Sequence, residues 1–231
     1  MSQPEVAPGV AELVSILDLT GVAANALVGA AVARGLQIDV VGFLALGIVS
    51  GLGGGLLRDT LLQHGTPVAL TNYLYLPVAL GAALVAFLLR LEGRLWDTTY
   101  VLVDALALGC WAAAGAQLTL TVGLGWLPAV LLGTITAVGG GMLRDILVQR
   151  RPQVFERGPL YAVCAAVASG VLVVLTYLGY APLGTVAAVL VGSGLCLLSR
   201  WHNWQAPVAR SWQLRLPRSG PRGRGQPGNP S

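Results

Sequence analysis

A chain of 231 residues that is 55% hydrophobic and only 10% charged cannot cover itself with polar surface, so a water-soluble domain is excluded and lipid is its natural solvent. The basic residues are all Arg, 14 of them against ten acids, for a formal net charge of +4. Six (Arg200, Arg210, Arg215, Arg218, Arg222 and Arg224) follow the last apolar run with no acid among them, so the net positive charge belongs to the tail.

Apolar runs long enough to cross a bilayer as a helix of about 20 residues recur along the chain, whereas the alternation of a barrel strand does not. The expected fold class is an all-α membrane protein of seven transmembrane helices, at about 10–33, 38–62, 73–91, 99–120, 124–148, 158–178 and 181–199. They divide the chain into a short N-terminal tail (1–9), a first three-helix repeat (10–92), a second (97–178), a seventh transmembrane helix (181–199) and a cytoplasmic tail (200–231). That tail, rich in Arg, Pro and Gly, is expected to be disordered and to touch anionic lipid headgroups. No basic stretch precedes the first span, since the first positive residue is Arg34, so no cleaved signal peptide is expected.

The excess of Arg on cytoplasmic segments fixes orientation. With the C-terminus in the cytoplasm, Arg34, Arg90, Arg94, Arg144, Arg150, Arg151 and Arg157 also fall on the inner side and Arg58 alone on the outer. An odd number of spans then puts the N-terminus outside, in a bacterial inner membrane. Cys110, Cys164 and Cys196 stand singly in apolar runs and read as small core residues. His64 and His202 lie outside the spans, so no metal cluster is expected.

The chain repeats itself. A shift of 86 residues aligns Gly53 to Gln63 with Gly139 to Gln149, eight of the eleven positions being identical, and also pairs Asp18 with Asp104, Gly29 with Gly115 and Gly47 with Gly133. Each repeat holds an odd number of spans, so the second enters the membrane from the opposite side. Inverted repeats of this kind place a substrate or ion path between the halves near the midplane, beside interrupted helices.

Each repeat carries a glycine triplet in its second span, Gly53, Gly54 and Gly55 or Gly139, Gly140 and Gly141. Gly forfeits about 1 kcal/mol of helix propensity relative to Ala, so a kink is expected there, with freed backbone groups lining a watery passage. A tight helix-packing seam around Gly51-x-x-x-Gly55 is the other reading. Arg58 and Arg144 follow their triplets by about one turn, either facing a cavity inside the bilayer or snorkelling to headgroups while paired with Asp59 or Asp145. Asp18 and Asp104 share their depths, so Asp18 is expected near Arg58 and Asp104 near Arg144. Such pairs serve equally as fixed clasps or as gate elements. Acids in excess of Arg along a path would favour cations, but charge alone does not separate K⁺ from Na⁺.

Enzyme readings fail. The chain has no Lys for a Walker motif, Leu56 stands where a GxGxxG pattern needs Gly, and no nucleophile and base are arranged together. No cofactor and no nucleic-acid partner are expected.

The doubled GGGxxRD motif, each copy after a helix with an early Asp, resembles the bacterial members of the trimeric intracellular cation (TRIC) channel family over roughly residues 10–199. The resemblance implies seven transmembrane helices, a homotrimer with one pore in each protomer, and conduction of monovalent cations, chiefly K⁺, past the first, second, fourth and fifth spans. It places both triplets, Arg58 and Arg144 at the pore and matches Asp18 and Asp104 to the acid in the first helix of each repeat. Asn25 stands where the family usually has an aromatic residue, which Trp111 supplies in the second half. It is either a polar residue of the path or a helix-packing hydrogen bond. The basic residues that animal relatives use for lipid and voltage responses are not transferable to a chain without Lys. A secondary transporter of a small solute such as an amino acid satisfies the inverted repeats equally well.

Opposed halves have a direct test: a single cysteine at His64 should react with a membrane-impermeant maleimide only from outside intact cells, and one at Arg151 only from the cytoplasmic side.

Overall fold

In hydrocarbon a backbone amide has no partner but another backbone group, and a helix satisfies them within one segment. The computed structural model of the protein describes residues 8–36, 38–89, 93–155 and 160–204. These form eight α-helices: α1 Pro8–Arg34, α2 Val40–Leu62, α3 Val68–Thr71, α4 Tyr75–Leu88, α5 Arg94–Thr121, α6 Trp126–Leu147, α7 Tyr161–Tyr177 and α8 Ala181–Trp201, with one 3₁₀ turn at Gln153–Phe155. Five of them, α1, α2, α5, α6 and α8, are long and apolar enough to cross a membrane. Helices α4 and α7, of 14 and 17 residues, fall on the expected third and sixth spans but are shorter. The first of these follows a separate turn of helix, α3, instead of forming one long span.

Helices α1, α2 and α4 pack against one another, as do α5, α6 and α7. The two trios meet along α1 against α5 and α2 against α6, while α8 covers α5 and α7. Partner helices of the two trios run antiparallel: Trp111, late in α5, reaches Asp18, early in α1, and Ser50 and Gly54 of α2 face Gly140 and Thr136 of α6 in reverse order.

The core is made of small residues. Ala26, Ala30, Ala79, Ala83, Ala105, Ala112, Ala116, Ala165, Ala168 and Ala188 are fully buried, and Cys110, Cys164 and Cys196 lie among them. In lipid, helices associate through close packing more than through expulsion of apolar surface, and Ala and Gly let the backbones approach. Larger aliphatics such as Val41, Leu131, Val174 and Leu190 point outward, as lipid requires.

Both glycine triplets lie inside unbroken helices, a correction to the interruption expected there. The reason is packing. A Cβ on Gly53 would stand 3.4 Å from the Gly140 Cα, and one on Gly139 would stand 3.3 Å from the Gly54 Cα. A Cβ on Gly54 or Gly140 would overlap the carbonyl oxygen of Thr136 or Ser50. The triplets are therefore the place where α2 and α6 cross backbone against backbone. Gly supplies closeness there.

Two boundaries also move. Arg200, assigned from sequence to the cytoplasmic tail at 200–231, belongs to α8, which ends at Trp201. The second repeat, expected from residue 97, has its first helix from Arg94. The N-terminal tail to residue 7, Arg90, Arg157 and the chain beyond residue 204 lie outside the described residues.

Gly54→Ala and Gly140→Ala should each lower thermal stability in detergent, by an overpacking cost of about 1–3 kcal/mol. Gly81→Ala, where a Cβ meets nothing, should leave the melting temperature unchanged or raise it. Size-exclusion recovery after heating reads both.

Candidate functional site

Arg58 sits one turn past Gly55 near the end of α2 and is almost completely buried. Its Nε donates to Asp59 Oδ1 at 2.7 Å, and its guanidinium stands 3.5 Å from Asp18 Oδ2. Asp18 also accepts a hydrogen bond from the Tyr75 hydroxyl at 2.8 Å. The other oxygen of Asp59 accepts the backbone N–H of Val68 at 2.9 Å, which ties the start of α3 to Arg58. Asp59 thus serves both a charge and a chain reversal.

The second half repeats the arrangement at the opposite end. Arg144, also buried, donates through Nε to Asp145 Oδ1 at 2.9 Å, and Asp145 Oδ2 accepts the N–H of Gln153 at 3.2 Å. The Tyr161 hydroxyl donates to Asp104 at 3.1 Å. Here the halves part. Asp104 lies near Arg144, as expected, the two lining one cavity, but its ion-pair partner is Arg200 of α8. Its two oxygens are taken by Tyr161 and Arg200, and α8 has no counterpart in the first half.

Two small cavities flank the glycine crossing. One, of about 10 Å³, is lined by Asp18, Gly55, Arg58, Asp59 and Tyr75; the other, of about 20 Å³, by Asp104, Gly141, Arg144, Asp145 and Tyr161. Each residue of the first set lies 86 positions before its partner in the second. The correspondence extends to residues that reach across: Trp111 of α5 lines the first cavity and Asn25 of α1 the second. Trp111 donates from Nε1 to the Asp18 carbonyl at 3.4 Å, and Asn25 donates from Nδ2 to the Ser50 carbonyl at 2.7 Å. Each volume is room for about one water molecule.

Tyr75, Tyr161 and Arg200 were not singled out by the sequence reading. The two Tyr are signalled by the same 86-residue shift. Arg200 lies on the buried face of α8 that runs through Gly192, Ser193, Cys196 and Ser199, a stripe in the sequence that marks it as part of the helix. At another point Arg34 donates to the carbonyls of Ala86, Phe87 and Leu89. It thereby satisfies the C-terminal end of α4, which the helix cannot satisfy itself. His64 and His202 are exposed, and among the described residues no group of His, Cys, Asp and Glu is placed to hold a metal.

Comparison with known proteins agrees with the doubled architecture. A family model described as "Glycine transporter" matches the chain twice, over residues 15–90 and 101–177. A UPF0126 membrane protein of Deinococcus radiodurans is 36% identical over 203 residues, covering 87% of this chain and 89% of its own. The UPF0126 inner membrane protein YadS of Escherichia coli K12 is 33% identical over 206 residues, covering 89% and 95%. Among solved structures, one that describes conductance through TRIC cation channels superposes with a TM-score of 0.77 at 31% identity, covering 84% of this chain and 96% of that one. The TRIC trimeric intracellular cation channel orthologue from Rhodobacter sphaeroides gives 0.76 at 28%, covering 82% and 98%. Names of membrane proteins and channels recur among these relatives; none is named as an enzyme. The class defined is an integral membrane protein with buried charge flanking a helix crossing. The chain belongs to the TRIC family, as a bacterial-type member within the group that the glycine-transporter model describes.

Tyr75→Phe and Tyr161→Phe each remove one hydrogen bond to a buried carboxylate. Each should cost about 1.5–3 kcal/mol, read as earlier unfolding in detergent, with similar losses at the two equivalent positions.

Proposed function

We propose that the protein is a monovalent cation channel whose permeant ion is K⁺. Its path runs within each protomer between two inverted three-helix repeats. The observation that carries this reading is the pair of equivalent charged cavities on either side of a crossing made of bare glycine backbone. Gly53, Gly54, Gly55, Gly139, Gly140 and Gly141 form the narrow point, and Arg58 and Arg144 border its two ends. Asp18, Asp59, Asp104 and Asp145 stand against Arg58, Arg144 and Arg200 around the path, an excess of one acid that favours cations. Solved relatives described as cation channels support the same assignment.

Cavities of single-water size on either side of a backbone contact describe a closed conformation. Opening requires α2 and α6 to separate at the crossing, where the contacts to break are backbone against backbone and the Leu57 and Leu143 side chains against the facing glycines. The shorter helices α4 and α7 complete a set of seven spans, with the N-terminus outside and the C-terminus in the cytoplasm. The Asp104–Arg200 pair and the Arg34 cap on α4 each join helix ends that this topology puts on the inner side. Assembly as a homotrimer follows the description of the R. sphaeroides relative as trimeric. The Arg-rich tail reaches anionic headgroups of the inner membrane surface.

A second reading, carriage of a small solute such as an amino acid, is favoured by one observation, the description of the matching family model as a glycine transporter. Purified protein in planar bilayers separates the two. Unitary K⁺ currents, altered in conductance or open probability by Arg58→Ala or Arg144→Ala, are expected of the channel. Saturable uptake of labelled glycine into proteoliposomes without resolvable current steps would establish the carrier instead.

A further inference from the structure

The two cavities are equivalent in sequence but not in charge. Around the first, Asp18 and Asp59 face Arg58 alone, a formal balance of −1. Around the second, Asp104 and Asp145 face Arg144, and Arg200, outside the cavity's lining, pairs with Asp104 from α8, a balance of zero. The difference comes from one residue on the one transmembrane helix that stands outside the repeat. Its position is fixed by structure: Arg200 is half-buried one turn past the buried Cys196 of α8 and pairs with Asp104, itself almost completely buried. Charges farther out act in the same sense. Arg34, Arg150 and Arg151 outnumber Asp39 near the end that holds Arg144, and Glu12 is the charge near the other end among residues whose side chains are described.

We propose that Arg200 makes cation flow through this protein unequal in the two directions, by neutralising the inner cavity while the outer one keeps its acid excess. The inference rests on the channel reading. An acid excess at one mouth raises the local cation concentration there and favours current entering from that side, whereas a neutral mouth gives no such supply. With the N-terminus outside, the favoured direction is inward. A unit charge about 8 Å from the path changes local cation concentration about two-fold in a water-like dielectric. The effect grows as salt falls, because screening extends over about 30 Å at 0.01 M.

The experiment is the single-channel current of the full-length protein in symmetric KCl, compared at equal and opposite voltages. Wild-type protein should pass unequal currents, by up to about two-fold at low salt. Arg200→Gln gives the inner cavity a charge of −1 and should bring the two currents toward equality. Asp104→Asn gives it +1 and should increase the inequality. A merely structural role for the ion pair would move both variants the same way, since both break it. Should either fail to fold, Asp18→Asn, which neutralises the outer cavity, should by itself bring the currents toward equality. Equal wild-type currents at low salt overturn the inference while leaving the channel intact, as does rectification that Arg200→Gln and Asp104→Asn shift in the same direction. Absence of any cation current from the wild type overturns the channel reading and this inference with it.

Discussion

The constraint on which this structure depends is that charge inside a membrane must be answered within the protein. An ionised side chain in the hydrocarbon costs several kcal/mol unless it meets a partner or water, and here the deeply placed acids and Arg are each held by another residue. Asp18 holds Arg58 and Tyr75; Asp104 holds Arg200 and Tyr161. These contacts join helices far apart in the chain and so set how the helices are arranged. Asp18 draws together α1, α2 and α4, and Asp104 draws together α5, α7 and α8. Around them the Ala-rich core fills in at close range, which lipid favours because packing, not solvent expulsion, holds helices together there.

Glycine works at the second organising point for a related reason. Two helices can touch backbone to backbone only where no side chain intervenes, and the triplets supply that at one height on both α2 and α6. The helices run unbroken through it, with the neighbouring backbone filling the space beside the glycines. A motif that reads in sequence as a weakness of the helix is in the folded protein a contact surface. The close approach also seats a leucine of each helix, Leu57 and Leu143, against a glycine of the other.

Much of this was legible in the chain. Composition gave the solvent, apolar runs gave the helices to within a few residues, and the 86-residue repeat gave the equivalence of Asp18 with Asp104 and Arg58 with Arg144. What could not be read was where symmetry fails. Asp104 does lie beside Arg144, as the first half implied, but its ion pair goes to Arg200, because α8 has no copy in the first half and brings an Arg of its own. Counting charge by chain position placed Arg200 with the tail, whereas the small residues at 192, 193, 196 and 199 carry the buried face one turn further. The helix interruptions failed for a different reason: propensity measured in an isolated helix does not include a neighbour pressed against the glycines.

The Arg-Asp dipeptide that closes each glycine motif does more than neutralise a charge. Asp59 holds the Arg58 guanidinium with one oxygen and the first amide of α3 with the other, and Asp145 does the same for Arg144 and the 3₁₀ turn at Gln153–Phe155. Each interior cation is thereby strapped to a stretch of chain at the membrane boundary. Displacing that Arg pulls on the neighbouring stretch of chain, and holding that stretch in turn restrains the Arg, so each buried charge carries a mechanical handle.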